Sequence, residues 1–147
     1  MDKKTVCIDL DGTLAQWDGW KGLDHIGDPF PGAVEFVNKL SKKYRIVIYT
    51  CRCKYQSDFM ETEIIKECDD KVPQQDIKIY LINKVKDWLH KHGFIYDHVY
   101  SGHGKPSATA YIDDRAAECN PQTNSMNTMV WYNVMNRIEQ LSEIKIL

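Results

Sequence analysis

Apolar and polar positions along the chain sort into two kinds of segment. Short apolar runs rich in β-branched residues occur at Val6-Cys7-Ile8, Arg45-Ile46-Val47-Ile48-Tyr49 and Thr109-Ala110-Tyr111-Ile112. Runs of that length, closed by turn residues, predict strands buried on both faces of a parallel sheet, the first over residues 5–9. Asp97-His98-Val99-Tyr100 is a further short strand candidate. Between these runs the period changes. Ala33, Val34, Val37 and Leu40 repeat at helical spacing to about Lys43, with Pro31 suited to the first helical turn. Asp58-x-x-Glu61 has the form of a capping box, and Met60, Ile64 and Cys68 follow at i+4, which predicts a helix over 57–69. Val72-Pro73-Gln74-Gln75 breaks that helix, and Asp76 is placed to cap the next. Ile82, Val85 and Leu89 mark the buried face of that next helix, with Trp88 close by, and His90-Lys91-His92-Gly93 is its C-terminal signal. Residues 14–30 and 116–127 read as loops. Trp131, Val134, Met135, Ile138 and Leu141 predict a closing amphipathic helix. Strands alternating with helices predict an α/β fold of Rossmannoid type, a three-layer sandwich around a mainly parallel sheet.

Composition narrows the class. A chain of 147 residues fits one domain spanning 1–147. Hydrophobic content of 43% and charged content of 27% are ordinary for a soluble globular protein. A net charge of −2 gives no general attraction to nucleic acid or acidic lipid. No apolar run reaches membrane-spanning length, and Met1-Asp2-Lys3-Lys4 leads straight into the first strand without a signal segment. The expectation is a cytoplasmic protein with no membrane partner. The 5 cysteines are irregularly spaced and read as reduced thiols. Cys51-x-Cys53 lacks a second Cys/His pair with zinc spacing.

The chemistry begins at Asp9-Leu10-Asp11-Gly12-Thr13. Two carboxylates leave the carboxyl end of a buried strand, where open α/β sheets bind ligands. Residues two apart in extended chain point the same way, so Asp9 and Asp11 can share a site. Gly12 lets the backbone turn sharply. Carboxylates that close need a proton or a cation between them, and both solutions suit phosphoryl transfer. An ionised Asp can attack phosphorus, and a second carboxyl can protonate the leaving group. The EF-hand spacing of Gly and Glu is absent, which excludes a calcium loop. Two other runs also end in polar residues, Thr50 and Asp113. Parallel strands would bring Asp9, Thr50 and Asp113 to one edge of the sheet. Lys105 lies in a Gly/Pro loop just before the third run. In this arrangement Asp9 is the nucleophile and Asp11 the general acid and base. Thr50 and Lys105 contact the phosphate. Asp113 and Asp114 hold Mg²⁺ with Asp9 and the backbone carbonyl of Asp11. Taken singly, each later residue has a plainer reading as a turn, cap or solvated charge; the order in which they occur favours function.

This ordered set resembles the haloacid dehalogenase (HAD) superfamily of Mg²⁺-dependent phosphohydrolases over residues 5–115. A response-regulator receiver lacks the Asp-x-Asp-Gly-Thr start and the closing acidic pair. The resemblance implies the roles just assigned. The gaps between motifs hold only what the core fold needs, so the chain looks capless. In the family an open site goes with large substrates, or with a partner subunit of a homo-oligomer acting as a lid. Ile112-Asp113-Asp114-Arg115 is similar to the phosphatase domain of phage polynucleotide kinase and to the 5′(3′)-deoxyribonucleotidases. No kinase P-loop is present. Arg52 follows Thr50 by two, as in several relatives, and is placed either to reach the substrate phosphate or to pair with a carboxylate. The expected activity is a phosphomonoesterase working through an aspartyl-phosphate on a nucleotide or a nucleic-acid 3′-phosphate. Phosphosugars or phosphoproteins are the alternative substrates, and a non-catalytic binding module is the alternative role. Trp17 and Trp20 read as core packing ahead of ligand stacking. Neither they nor Lys21 and His103 are assigned to substrate.

Overall fold

In a computed structural model, the described residues are 2–53, 73, 76–102, 104–119 and 129–145. They fall into two compact units, Met1–Asp113 and Asp114–Leu147. The first unit is built on a four-stranded sheet. In chain order its strands are β1 (Thr5–Ile8), β2 (Arg45–Tyr49), β3 (His98–Tyr100) and β4 (Ala110–Ile112). Their spatial order is β3-β2-β1-β4, and every pairing is parallel. The α/β class and the parallel sheet expected from the apolar runs are therefore present. Ile8 pairs in register with Ile48 on one side and Ile112 on the other. The residues that follow these three, Asp9, Tyr49 and Asp113, thus lie level with one another at the carboxyl edge of the sheet.

Alternate positions of the central strands build the core. Val6, Ile8, Ile46 and Ile48 share one buried cluster with Ala33 and Val37 of α1 (Ala33–Ser41). The same cluster takes in Val85, Trp88 and Leu89 of α2 (Ile77–His92). Both helices therefore cover the same face, as right-handed crossovers stepping in one direction along a sheet require. Among the described residues fifteen buried side chains form this cluster, whose burial packs the strands against the two helices.

Three boundaries differ from expectation. α1 starts at Ala33, after a turn that contains Pro31, because Gly32 precedes it with a left-handed backbone (φ 84°). Asp76 sits at the N-cap of α2, but its side chain makes no capping bond. Its φ of −103° and ψ of −5° are helical, and a cap normally needs extended backbone to turn its oxygen onto the first turn. Asp97 lies outside β3 and instead accepts the Ile46 N–H at 2.7 Å, closing the start of β2. The helix expected over 57–69 and residue His103 lie outside the described residues. Residues 14–30 are a loop as expected. The loop is clipped by Gln16 N–H to Asp28 O (2.8 Å) and Phe30 N–H to Leu14 O (2.8 Å). No cap domain occurs among the described residues.

The second unit contains α3 (Met129–Ser142), where the closing helix was expected. Its apolar stripe lies at the surface, however. Trp131 is 57% exposed, Ile138 42% and Leu141 40%, while Val130 is its buried residue. Arg137 of α3 donates to the carbonyls of Asp114 (2.6 Å) and Ala116 (3.2 Å) and so ties down the backbone that begins this unit. Among the described residues, no helix is long and apolar enough to cross a membrane.

Candidate active site

The chain turns sharply as it leaves β1. Leu10 O accepts from the backbone N–H groups of Leu14 and Ala15, each at 2.9 Å, and Gly12 N–H donates to Ala15 O at 2.8 Å. Gly12 has a φ of 80°, which a side chain would oppose. The turn leaves Asp9 and Asp11 half-buried at the strand end, on either side of the fully buried Leu10. Asp9 is held through both its backbone and its side chain. Its N–H continues the β1–β4 ladder to Ile112 O (2.9 Å), and one carboxylate oxygen accepts from the Thr13 hydroxyl at 3.4 Å.

That ladder bond places Asp9 level with Asp113. Asp9, Asp113 and Asp114, the residue bonded to Asp113, each offer a carboxylate oxygen within 4.8 Å of the others. Carboxylates so close repel one another, and an oxygen-rich group of this kind suits a hard divalent cation. The donor set therefore fits Mg²⁺, with carboxylate oxygens and no thiol or imidazole. The side chain of Asp11 is not one of the three. It is engaged by Arg52.

Arg52 lies in a single turn of 3₁₀ helix, Cys51–Cys53, directly after β2. Its Nε donates to Asp11 Oδ2 at 2.6 Å and its Nη2 to Asp11 Oδ1 at 2.9 Å, the paired geometry that only a guanidinium provides. Arg52 is 4% exposed. Its third nitrogen, Nη1, is buried and has no hydrogen-bond partner among the described residues. The guanidinium lies 4.9 Å from the centre of the Trp20 ring and 5.9 Å from that of Trp17. Trp20 also packs on the small cluster of Leu23, Ile77 and Leu81. Both indoles lie near the Arg52 guanidinium, and Trp20 links it to that small cluster, in keeping with its core-packing reading.

Thr50 is 2% exposed, and its hydroxyl oxygen accepts the Arg52 N–H at 3.3 Å. A hydroxyl accepting one bond still has its proton to give. Lys105 is exposed, with its Nζ 4.2 Å from the centre of the Tyr111 ring. Tyr111 in turn donates its hydroxyl to Pro106 O, within the loop that carries Lys105. Lys21 is also exposed and pairs with Asp18 at 2.8 Å.

Tyr49 was not singled out in the sequence. Its hydroxyl donates to Asp113 Oδ2 at 2.7 Å, and its ring stands edge-on to Tyr111 at 6.2 Å. Burial, then the hydrogen bond to Asp113 and the charges of Asp113, Asp9 and Cys7, push its phenol well above the usual range, so it remains a donor. The only signal in the sequence was its place, closing a buried strand beside two acidic strand ends. Cys53, just past Arg52, is pushed up to about 12 by burial, which outweighs the neighbouring guanidinium. It is an inert packing thiol rather than a nucleophile.

No protein-family model and no curated protein matches the chain. Among solved structures it is similar to a conserved protein from Bacteroides thetaiotaomicron. That match has 21% identity over 89% of this chain and 92% of that one, with a TM-score of 0.46. It is also similar to a structural-genomics target from Vibrio cholerae, with 23% identity over 93% and 98% of the two chains and a TM-score of 0.47. A third similar structure is D,D-heptose 1,7-bisphosphate phosphatase from B. bronchiseptica, complexed with magnesium and phosphate. There the identity is 17% over 96% of this chain and 64% of that one, and the TM-score is 0.40.

Proposed function

We propose that the chain is a Mg²⁺-dependent phosphomonoesterase that works through an aspartyl-phosphate on Asp9. The observation that carries this reading is the meeting of Asp9 with Asp113 and Asp114, beside an independently held carboxylate, Asp11. Asp9, Asp113 and Asp114, with the backbone carbonyl of Asp11, would hold Mg²⁺. Bound there, the cation supplies charge neutralisation between the anionic nucleophile and the anionic ester.

The protein's own groups do the rest. Asp9 attacks phosphorus, the ester P–O bond breaks, and the leaving oxygen takes its proton from Asp11. Water then attacks the phosphorus of the acyl phosphate and gives its proton back to Asp11. The Asp9–phosphorus bond breaks, inorganic phosphate leaves and Asp9 is restored. The Thr50 hydroxyl and the Lys105 ammonium donate to the phosphate oxygens. Arg52 joins them through Nη1, which has no hydrogen-bond partner among the described residues. Both oxygens of Asp11 accept from Arg52, so at least one of those two bonds opens before Asp11 delivers a proton.

The substrate is a nucleotide or the 3′-phosphate at a nucleic-acid end. The reading is supported by the resemblance of the Ile112-Asp113-Asp114-Arg115 motif to those of the phage polynucleotide kinase phosphatase domain and the 5′(3′)-deoxyribonucleotidases, and by a site with no cap among the described residues. The test is phosphate release from mononucleotides, 3′- and 5′-phosphorylated oligonucleotides, sugar phosphates and phosphopeptides, with and without Mg²⁺. Release from the 3′-phosphorylated oligonucleotide that needs both Mg²⁺ and Asp9 is the expected result. Preference for a sugar phosphate or phosphopeptide would overturn the substrate, and release that survives Asp9→Asn would overturn the mechanism.

A further inference from the structure

We infer that Tyr49 is a positioning residue for the cation site, its phenol holding the Asp113 carboxylate in the orientation that faces Asp9. This rests on reading the acidic group as a cation site. Tyr49 is the last residue of β2, and Asp113 follows the last residue of β4. β1 runs between those two strands. The Tyr49 side chain therefore reaches across the strand that carries Asp9 to make its 2.7 Å bond with Asp113 Oδ2. A short side chain at position 49 could not span that distance, and one without a hydroxyl would make no bond at the end of it.

The reach is supported from the far side. The Tyr49 ring meets Tyr111 at 85°, edge to face, and Tyr111 is anchored by its own hydroxyl to Pro106 O. The phenol is held before any ligand arrives. Without that bond the like charges of Asp9 and Asp114 would push on the Asp113 carboxylate with less to oppose them. With one oxygen tethered, the carboxylate stays in place at little cost when a cation binds. Groups that orient ligand carboxylates in this way typically contribute roughly 10- to 100-fold in metal affinity.

Tyr49→Phe removes one oxygen and keeps the ring. In the full-length chain, Mn²⁺ binding followed by electron paramagnetic resonance, and Mg²⁺ binding by calorimetry, should each weaken by roughly 10-fold or more. The metal-free melting temperature should change by only a few degrees. In the phosphate-release assay, the Mg²⁺ concentration for half-maximal rate should rise by the same factor, and most of the rate should return at saturating Mg²⁺. A purely structural role would lower the rate at every Mg²⁺ concentration, and that result overturns the inference. Wild-type protein that binds neither cation overturns the cation reading and the inference with it. Wild-type binding that Tyr49→Phe leaves unchanged overturns the inference alone. Tyr111→Phe, which keeps the edge-on ring but loses its anchor at Pro106, should weaken Mn²⁺ binding less than Tyr49→Phe does, and a loss as large as that of Tyr49→Phe would place the effect in the aromatic pair and overturn the inference.

Discussion

Arg52 grips Asp11 by both carboxylate oxygens, at 2.6 and 2.9 Å, from a position 41 residues further along the chain. Their side chains are only 5% and 15% exposed, so the pair is largely shielded from water. It joins the β1 turn to the turn after β2, and through Trp20 to the small cluster beneath.

Breaking that pair should therefore affect both stability and turnover. Arg52→Ala removes the guanidinium from Asp11 and opens a gap beside Trp17 and Trp20. The expected loss is on the order of 2–3 kcal/mol in urea unfolding. Arg52→Lys keeps the charge but loses the fork. It should recover part of the stability, while kcat/KM for phosphate release stays at least about 10-fold below wild type. Full activity in Arg52→Lys would mean that a point charge suffices and the paired geometry is incidental.

Asp9→Asn separates chemistry from folding. It removes the nucleophile, so turnover should fall below detection. It also relieves repulsion within the acidic group, so in a chelator the variant should melt at or above the wild-type temperature. Mg²⁺ at 100 times its dissociation constant should stabilise the wild type by about 2.7 kcal/mol, and the variant much less. A variant that melts well below wild type in chelator would show Asp9 to be structural.

Gly27 is a steric requirement of the loop behind the site. A Cβ there would lie 2.1 Å from Gln16 O, which is backbone and cannot step aside. The same residue's carbonyl accepts from Trp88 Nε1 at 3.0 Å. Gly27→Ala should thus pull the loop off α2, with a fall in melting temperature of several degrees and quenched or shifted tryptophan emission. A variant indistinguishable from wild type in both would contradict the close approach.

Thiol labelling tests burial around the site. In a Cys68→Ser background, Cys51 and Cys119 are exposed and should label in the folded chain, while the buried Cys7 and Cys53 should label only on unfolding. Cys53 also makes stability depend on alkaline pH. Its folded-state value of about 12 lies above the ordinary 9.0, so the folded chain keeps a proton that the unfolded chain gives up. That contribution is fully present below about pH 9 and is lost as pH rises toward 12. Cys53→Ala should flatten this part of the curve in urea unfolding between about pH 8 and 11. A slope unchanged by the substitution would assign the alkaline loss to other groups.

The strands and their polar ends were legible because burial on both faces writes a continuous apolar run, and the first polar residue after it marks the sheet edge. Asp9, Thr50 and Asp113 follow from that rule alone. The partner of Arg52 does not, because sequence spacing says nothing about which of several nearby carboxylates a long side chain will reach. Tyr49 was hidden for a different reason. It closes the Arg45–Tyr49 run as one more apolar residue, and its hydroxyl gains meaning only when β1 is known to lie between β2 and β4. The surface stripe of α3 shows the reverse limit. Periodicity found the helix but not what its apolar side meets, since period reports a face and not a neighbour.

The strand order has a kinetic consequence. β1 reaches β2 across a short span of chain, but Val6 pairs with Ala110 only after nearly the whole first unit has been threaded. Closing so long a loop is slow and costs entropy before any contact offsets it. Until it closes, β1 is a sheet edge and Asp9 stands apart from Asp113. On this account the mutual repulsion of Asp9 and Asp113 would be deferred until β4 docks on β1. Pulsed hydrogen exchange during refolding should find the β4 amides protected after those of β2, and the nucleophile would acquire its neighbours at the moment the sheet is completed.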